Sequence, residues 1–142
     1  MSGALVLAEA RAWIGTPYRH QASARGAGAD CLGLLRGVWR ALYGAEPESV
    51  PPYSPDWAEP ARDEVLMRAA LRHLIPKDDA AAAPGDVLLF RMRSDGIAKH
   101  LGIAAEIGAG ATFVHAYSGH GVVESPLSAP WARRIAARFA FP

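Results

Sequence analysis

The sequence predicts a single domain of the α+β class over residues 1–142, with helices in its first half and an antiparallel sheet in its second. A chain of 142 residues is the size of one ordinary domain and can bury a sizeable core. Apolar residues recur at helical spacing up to about residue 75, and short alternating runs follow Pro84-Gly85. Helical segments followed by a series of hairpin-like strands are typical of α+β domains.

The composition excludes several classes of protein. Hydrophobic residues make up 51% of the chain and charged residues 20%, which excludes intrinsic disorder. The 15 basic and 14 acidic side chains leave a formal charge of +1, which gives no electrostatic indication of nucleic-acid or membrane-surface binding. No apolar run approaches the ~18 residues that span a bilayer. We therefore expect no nucleic-acid partner and no membrane insertion.

The clearest helix of the sequence follows Asp30. Asp30 is a good N-cap because its carboxylate can accept a hydrogen bond from a free N–H of the first turn, and Gly44 is a good stop. Between them the apolar residues fall on one face at a spacing of three or four. These residues are Cys31, Leu34, Leu35, Val38, Trp39 and Leu42.

Two weaker helical patterns flank this segment. An apolar stripe over Leu5–Trp13 ends at Gly15–Pro17, and a third helix is predicted over Arg62–Ile75. A polar loop is expected over residues 19–29. The prolines of residues 46–60 predict a surface loop, since proline continues neither a helix nor a ladder of strand hydrogen bonds.

The second half of the chain predicts short strands joined by tight turns. Apolar or alternating runs are separated by glycine-containing turns at Ser94–Gly96 and Gly108–Gly110. The predicted strands are Val87–Arg91, Lys99–Ile107, Thr112–Tyr117, Val122–Val123 and a last strand in which Ile135, Ala137, Phe139 and Phe141 alternate.

Cys31 is the single cysteine, so it acts as a thiol and not in an internal disulfide. It lies in the first turn of the clearest helix, where backbone N–H groups and the helix dipole favour an anion. This position predicts a thiolate nucleophile with a pKa below that of free cysteine. The alternative is a small apolar residue of the helix core.

A thiolate nucleophile needs a base, and two histidines are placed to serve. His100 begins one predicted strand, and His115 lies in the next. Residues on neighbouring strands of a hairpin can stand side by side, so one imidazole can pair with Cys31 while the other orients it. The alternative is that each histidine forms a structural hydrogen bond inside the sheet.

The same three residues could instead bind zinc as a Cys-His-His set. The sequence has no paired C-x-x-C or H-x-x-x-H spacing to support such a site. We therefore expect no metal and no cofactor, because thiol chemistry with a histidine base requires neither. The remaining histidines, His20, His73 and His120, are expected to be solvated.

Five short motifs occur in order along the chain. They are Gly15-Thr16-Pro17-Tyr18-Arg19, Ala29-Asp30-Cys31-Leu32-Gly33-Leu34, Pro84-Gly85-Asp86-Val87, His100-Leu101-Gly102-Ile103 and Phe113-Val114-His115-Ala116. Together they resemble the NlpC/P60 family of cysteine peptidases, which cut bacterial cell-wall peptides. The resemblance covers the chain from about Leu7 onward and implies a papain-like fold. Within this family, the chain is similar above all to the small cell-wall peptidases of tailed phages and gene transfer agents.

The resemblance implies a role for each matching residue. Cys31 would be the nucleophile, His100 the general base and His115 the residue that orients the imidazole. Tyr18 would lie near the thiolate and form an oxyanion hole with the backbone N–H of Cys31. Asp30 would help to bind a substrate amine, a role that can coexist with capping the helix.

One position departs from the family pattern. Many relatives have serine directly after the nucleophile, where its hydroxyl also contacts that amine, whereas this chain has Leu32. This chain therefore lacks the serine hydroxyl that contacts the amine of an N-terminal alanine in those relatives. The substrate that the resemblance implies is a peptidoglycan stem peptide, cut between γ-D-glutamate and a diamino acid.

Two other functions remain open alongside the peptidase. The first is a thiol amidase or acyltransferase of the wider papain-like group. Its circularly permuted members have histidine before cysteine, whereas here the cysteine comes first. Its amidases often have an acid or asparagine as the third catalytic residue, whereas here that residue is His115. The second is a non-catalytic tail or baseplate subunit that retains the fold. The intact Cys31, His100 and His115 argue against such a loss of function.

The start of the chain lacks the pattern of a secretory signal, because Glu9 and Arg11 interrupt its apolar residues. We expect synthesis in the cytoplasm and delivery to the cell wall as part of a phage-like particle, docked on a tail or baseplate. The proline-rich loop is one candidate docking surface, since exposed aromatic residues often anchor interfaces. Its residues are Pro51, Pro52, Tyr53, Pro55 and Trp57.

Overall fold

The computed structural model describes residues 1–55 and 63–142 and confirms the α+β class. Helices lie mainly in the first half, and most strands follow them. The helices are α1 (Gly3–Arg11), α2 (Cys31–Tyr43), α3 (Val65–His73) and the short α4 (Ala129–Ala132). The strands are β1 (Ser23–Ala24), β2 (Gly28–Ala29), β3 (Ile75–Lys77), β4 (Val87–Arg91), β5 (Ala98–Ala104), β6 (Thr112–Tyr117), β7 (Gly121–Pro126) and β8 (Ile135–Ala140).

Six strands form one antiparallel sheet in the order β3-β8-β4-β5-β6-β7. The middle of the sheet is a meander from β4 to β7, in which each strand pairs with the next. β8 returns from the far edge to lie between β3 and β4. The C-terminal strand is therefore an interior strand of the sheet.

The main core lies between the helices and one face of this sheet. Leu34 and Val38 of α2 are fully buried against Leu101 and Ile103 of β5, and Ala10 of α1 packs into the same cluster. The spacing of three or four that predicts α2 is the spacing of its buried face.

The opposite face of the sheet is also covered. Leu88, Phe90 and Phe113 form a second buried cluster, against which Trp131 of α4 packs. β4 is thus buried on both faces, which explains why its sequence is a continuous apolar run.

Several boundaries differ from the predicted ones. The predicted loop 19–29 contains the hairpin β1–β2, and α4 has no counterpart among the predicted elements. α3 ends at His73, and Ile75 lies in β3, because Pro76 favours extended backbone before it and tolerates an edge strand. The predicted start of α3 at Arg62 lies outside the described residues. No helix among the described residues is long and apolar enough to cross a bilayer.

Candidate active site

Cys31 lies at the first residue of α2, and Asp30 caps that helix as predicted. The Gly33 N–H donates to Asp30 Oδ1 over 2.7 Å. Position 33 admits only glycine, because a Cβ there would lie 1.8 Å from the backbone oxygen of Ala22. The loop and the helix start are therefore in direct contact.

The Asp30 carboxylate joins three segments of the chain. Its Oδ2 accepts a hydrogen bond from the Gln21 N–H at 2.7 Å and another from the Tyr53 hydroxyl. Asp30 is only 2% exposed. Each donor compensates part of the negative charge on the buried carboxylate, so the loss of any of these hydrogen bonds would be costly.

The two predicted histidines form a direct pair. His100 Nε2 lies 2.8 Å from His115 Nδ1, and His115 Nε2 lies 2.9 Å from Ser125 Oγ. If His100 Nε2 carries its proton, it donates to His115 Nδ1, and His115 then donates from Nε2 to Ser125. That arrangement leaves His100 Nδ1 without a proton, ready to accept one.

Gly102 allows the two imidazoles to lie side by side. A Cβ at this position would be 2.8 Å from the Phe113 ring and 3.2 Å from the Cβ of His115. The absence of a side chain thus gives His115 its place beside β5.

Aromatic rings enclose the histidine pair. The ring centroids of His115 and Phe113 are 4.2 Å apart. The ring centroid of Trp131, in α4, lies 5.6 Å from that of His100 and 5.2 Å from that of His115. His115 has no exposed surface. The enclosure keeps water away from the hydrogen bond between the two imidazoles.

A cavity of about 150 Å³ brings the sequence-predicted residues together. Cys31, His100, Tyr18 and Asp30 all line it, while His115 lies behind His100. Tyr18 enters the site because its strand-like backbone pairs with Ala29, just before the helix cap. Burial raises the pKa of the Tyr18 hydroxyl, and the neighbouring Cys31 and Asp30 raise it further. The five predicted site residues therefore converge on one place.

The structure contradicts the prediction of a thiolate at neutral pH. Burial raises the pKa of the Cys31 thiol to about 12, and the Asp30 carboxylate adds to this effect. Hydrogen bonds from the backbone of Leu101, Leu32 and Cys31 itself act in the opposite direction but are outweighed. The helix start does favour the anion, as the sequence analysis argued, but the loss of solvent is the larger effect.

The imidazoles are shifted toward their neutral forms as well. Burial lowers the pKa of His100, and His115 lowers it further; burial and His120 lower the pKa of His115. The resting site thus holds a neutral thiol and a neutral histidine pair. Such a site suits proton transfer during attack on the substrate.

Three residues of the site were missed by the sequence analysis or given another role. Ser125 had no sequence signal, since β7 was predicted only over Val122–Val123. His20 is exposed, as expected, but it also lines the cavity. Tyr53, predicted on a docking surface, is half-buried and bonded to Asp30; Trp57, from the same predicted surface, lies outside the described residues.

The histidine pair is arranged for hydrogen bonding and not for zinc. Both ring nitrogens of His115 are engaged, one by His100 and one by Ser125. Across residues 1–55 and 63–142, no group of three or more His, Cys, Asp or Glu side chains is placed to hold a metal ion.

Comparison with known proteins gives matches at the level of structure. No protein-family model and no curated protein sequence matches the chain. An NlpC/P60 family protein from Bacillus cereus superposes on 99% of this chain and 40% of its own, with a TM-score of 0.67 and 18% identity. The NlpC/p60 domain of the peptidoglycan hydrolase SagA covers 100% of this chain and 99% of its own, with a TM-score of 0.58 and 23% identity.

A third match lies outside bacteria. NlpC1 from Trichomonas vaginalis covers 98% of this chain, with a TM-score of 0.65 and 19% identity. The present chain spans 44% of NlpC1, so it corresponds to less than half of that protein and of the B. cereus protein. At these identities the likeness concerns the fold. The chain therefore has the α+β fold of the NlpC/P60 proteins, as the five motifs predicted.

Proposed function

We propose that the protein is a cysteine peptidase that hydrolyses peptides of peptidoglycan. The observation that carries the proposal is that Cys31 and His100 line one cavity, with His100 held from behind by the hydrogen-bonded His115 and Ser125. A thiol beside an oriented imidazole is the arrangement that nucleophilic acyl transfer requires. The fold adds support, since one protein that shares it is described as a peptidoglycan hydrolase.

Acylation begins with the neutral pair. The Cys31 sulfur attacks the peptide carbonyl carbon as His100 Nδ1 takes the thiol proton, and the carbonyl oxygen becomes an oxyanion. When the carbonyl reforms, the C–N bond breaks and His100 gives its proton to the leaving nitrogen. The product is a thioester on Cys31 and a free amine.

Deacylation repeats the sequence with water. His100 removes a proton from a water molecule as the water attacks the thioester carbon. The C–S bond then breaks, and the proton returns to the Cys31 sulfur. Throughout, His115 holds the Nε2 side of His100, and Ser125 fixes the tautomer of His115.

The oxyanion needs donors at the start of α2. The backbone N–H of Cys31 lies at the positive, N-terminal end of the α2 dipole, which favours a negative charge. The Tyr18 hydroxyl lines the same cavity as Cys31. We assign both to the oxyanion hole.

The bond cleaved and the setting of the enzyme extend the proposal. The bond is the one between γ-D-glutamate and a diamino acid, in a single catalytic domain over residues 1–142. The enzyme is made in the cytoplasm and acts as a component of a phage-like tail or baseplate, which carries it to the wall. These points rest on the resemblance of the five motifs.

Digestion of purified peptidoglycan, followed by mass analysis of the fragments, tests the proposal. Wild type is expected to release peptides that begin with the diamino acid and to leave glycan-linked stems that end in D-glutamate, whereas Cys31→Ala produces neither. Tyr43→Phe is a matched control, since Tyr43 donates to the Pro142 carbonyl away from the cavity. Fragments from Cys31→Ala, or none from wild type, would contradict the proposal, and the latter would favour a non-catalytic subunit.

A further inference from the structure

We propose that the Cys31 cavity prefers peptides with a blocked N-terminus. The N-terminal nitrogen of the segment that forms the thioester is then an amide and not a free amine. Tyr53 sets this preference by occupying the Asp30 carboxylate. The inference rests on the proposed peptidase function and names the class of substrate that this site accepts. It also revises the role at a substrate amine that the motif resemblance implied for Asp30.

Asp30 has little left to offer an incoming ammonium group. Oδ1 accepts from the Gly33 N–H, and Oδ2 accepts from both the Gln21 N–H and the Tyr53 hydroxyl. The side chain of Asp30 is 3% exposed. Three of the roughly four acceptor sites of the carboxylate are thus taken. An ammonium ion could reach the remaining site on Oδ1 only by losing most of its water.

Tyr53 is held in place by more than its hydroxyl. Its carbonyl oxygen accepts from Gln21 Nε2 at 2.6 Å and lies 2.9 Å from His20 Nε2. The rings of Tyr53 and His20 meet edge to face at 5.2 Å. These contacts hold Tyr53 against the loop that precedes α2, and the ring contact with His20 must break before the hydroxyl can move away from Asp30.

The rest of the cavity offers no substitute for that carboxylate. Asp30 is the only acidic side chain among the described residues that line it, and Lys99 lies in the same lining. The family serine that would add a hydroxyl is Leu32, which packs against the apolar core. An ammonium in this cavity would thus be desolvated with little carboxylate left to pair with, whereas an acylated nitrogen carries no charge and avoids that cost.

Two stem-peptide analogues that differ only in N-acetylation test the preference. We expect wild type to cleave the acetylated peptide with a kcat/KM at least ~10-fold higher than the peptide with a free amine, as follows from an unpaired charge. Tyr53→Phe keeps the ring and the carbonyl contacts but returns one acceptor site on Oδ2, so the ratio should fall by about tenfold. Tyr43→Phe, which also loses one tyrosine hydroxyl bond, should keep the wild-type ratio.

The outcomes distinguish the preference for an acylated amine from the peptidase function itself. Equal or faster cleavage of the free-amine peptide by wild type overturns the preference and leaves the peptidase intact; this measurement needs no variant. A preference that a folded Tyr53→Phe protein, verified by its melting curve, retains unchanged overturns the assignment to Tyr53. Failure to cleave either peptide or intact peptidoglycan overturns the proposed function, and the preference with it.

Discussion

On one side of the Cys31 cavity a carboxylate holds the loop against α2, and on the other side neutral groups and aromatic rings hold the histidine pair. Asp30 gathers donors from Gly33, Gln21 and Tyr53, so its contacts are charge-assisted. The bond from His100 to His115 lies among buried rings. The difference shows that charge positions Cys31, whereas an apolar shell favours the neutral form of the two imidazoles.

The largest effect that would sharpen this comparison concerns the charge on Cys31. With the pKa of the thiol raised to about 12, the thiolate fraction at pH 7 is ~10³-fold below that of free cysteine. Iodoacetamide should therefore label the folded protein at least ~100-fold more slowly at pH 7 than the urea-unfolded chain. The rate should still be rising above pH 9. Rapid labelling with a midpoint below pH 8.5 would restore the thiolate that the helix position predicts.

Asp30→Ala should break the charged side by destabilising the protein. The change leaves the buried N–H of Gly33 and the part-buried N–H of Gln21 without their acceptor, at a cost of about 2–4 kcal/mol. Urea denaturation measures the loss, and Asp63→Ala, in an exposed ion pair with Arg68, serves as the control. A midpoint that stays at the wild-type value would mean that the loop is held by other contacts.

Tyr18→Phe should lower kcat by ~10²-fold while the melting temperature and Cys31 labelling stay near wild type. The substitution keeps the ring in the cavity and removes only the proposed oxyanion donor. Steady-state kinetics on a stem-peptide analogue measures the effect. Near-normal turnover would reduce Tyr18 to a packing residue.

Ser125→Ala should lower kcat by about tenfold, because His115 then loses the partner that selects its tautomer. KM and the melting temperature should change little, which distinguishes positioning from folding. Ser125→Thr keeps a hydroxyl and should recover most of the activity. If both variants behave alike, the hydroxyl has no role in the reaction.

The smallest effect is on the acid side of the pH profile. His100 must be neutral to accept the thiol proton, and burial lowers its pKa below the ordinary 6.5. Activity should accordingly persist as the pH falls through 6.5 and be lost only at more acidic values. A kcat/KM profile that falls by half near pH 6.5 would indicate a solvated imidazole.

Local signals made much of the fold and the site predictable. The boundaries of α2 follow from a cap, a stripe and a stop within one short segment, and β4 and β6 have their predicted bounds. Cys31, His100 and His115 each lie in a recognisable local motif, from which the sequence predicts them as site residues.

The remaining features depend on contacts between distant segments. Ser125 reaches His115 only through the register of β6 with β7, and Tyr53 reaches Asp30 from a loop 23 residues away. The pKa of Cys31 was predicted in the wrong direction because the sequence indicates the helix dipole but not the depth of burial. Long-range pairing and desolvation are properties of the assembled fold.

The interior place of β8 has a consequence for the order in which the protein can assemble. β4 pairs with β8 on one side and β5 on the other, and β3 joins the sheet only through β8. While the chain emerges from the ribosome, the apolar strand β4 has an open edge until β8, up to Phe139, has left the exit tunnel. An unpaired apolar strand edge can pair with strands of other chains. A ribosome that stalls within β8 would therefore leave an aggregation-prone nascent chain.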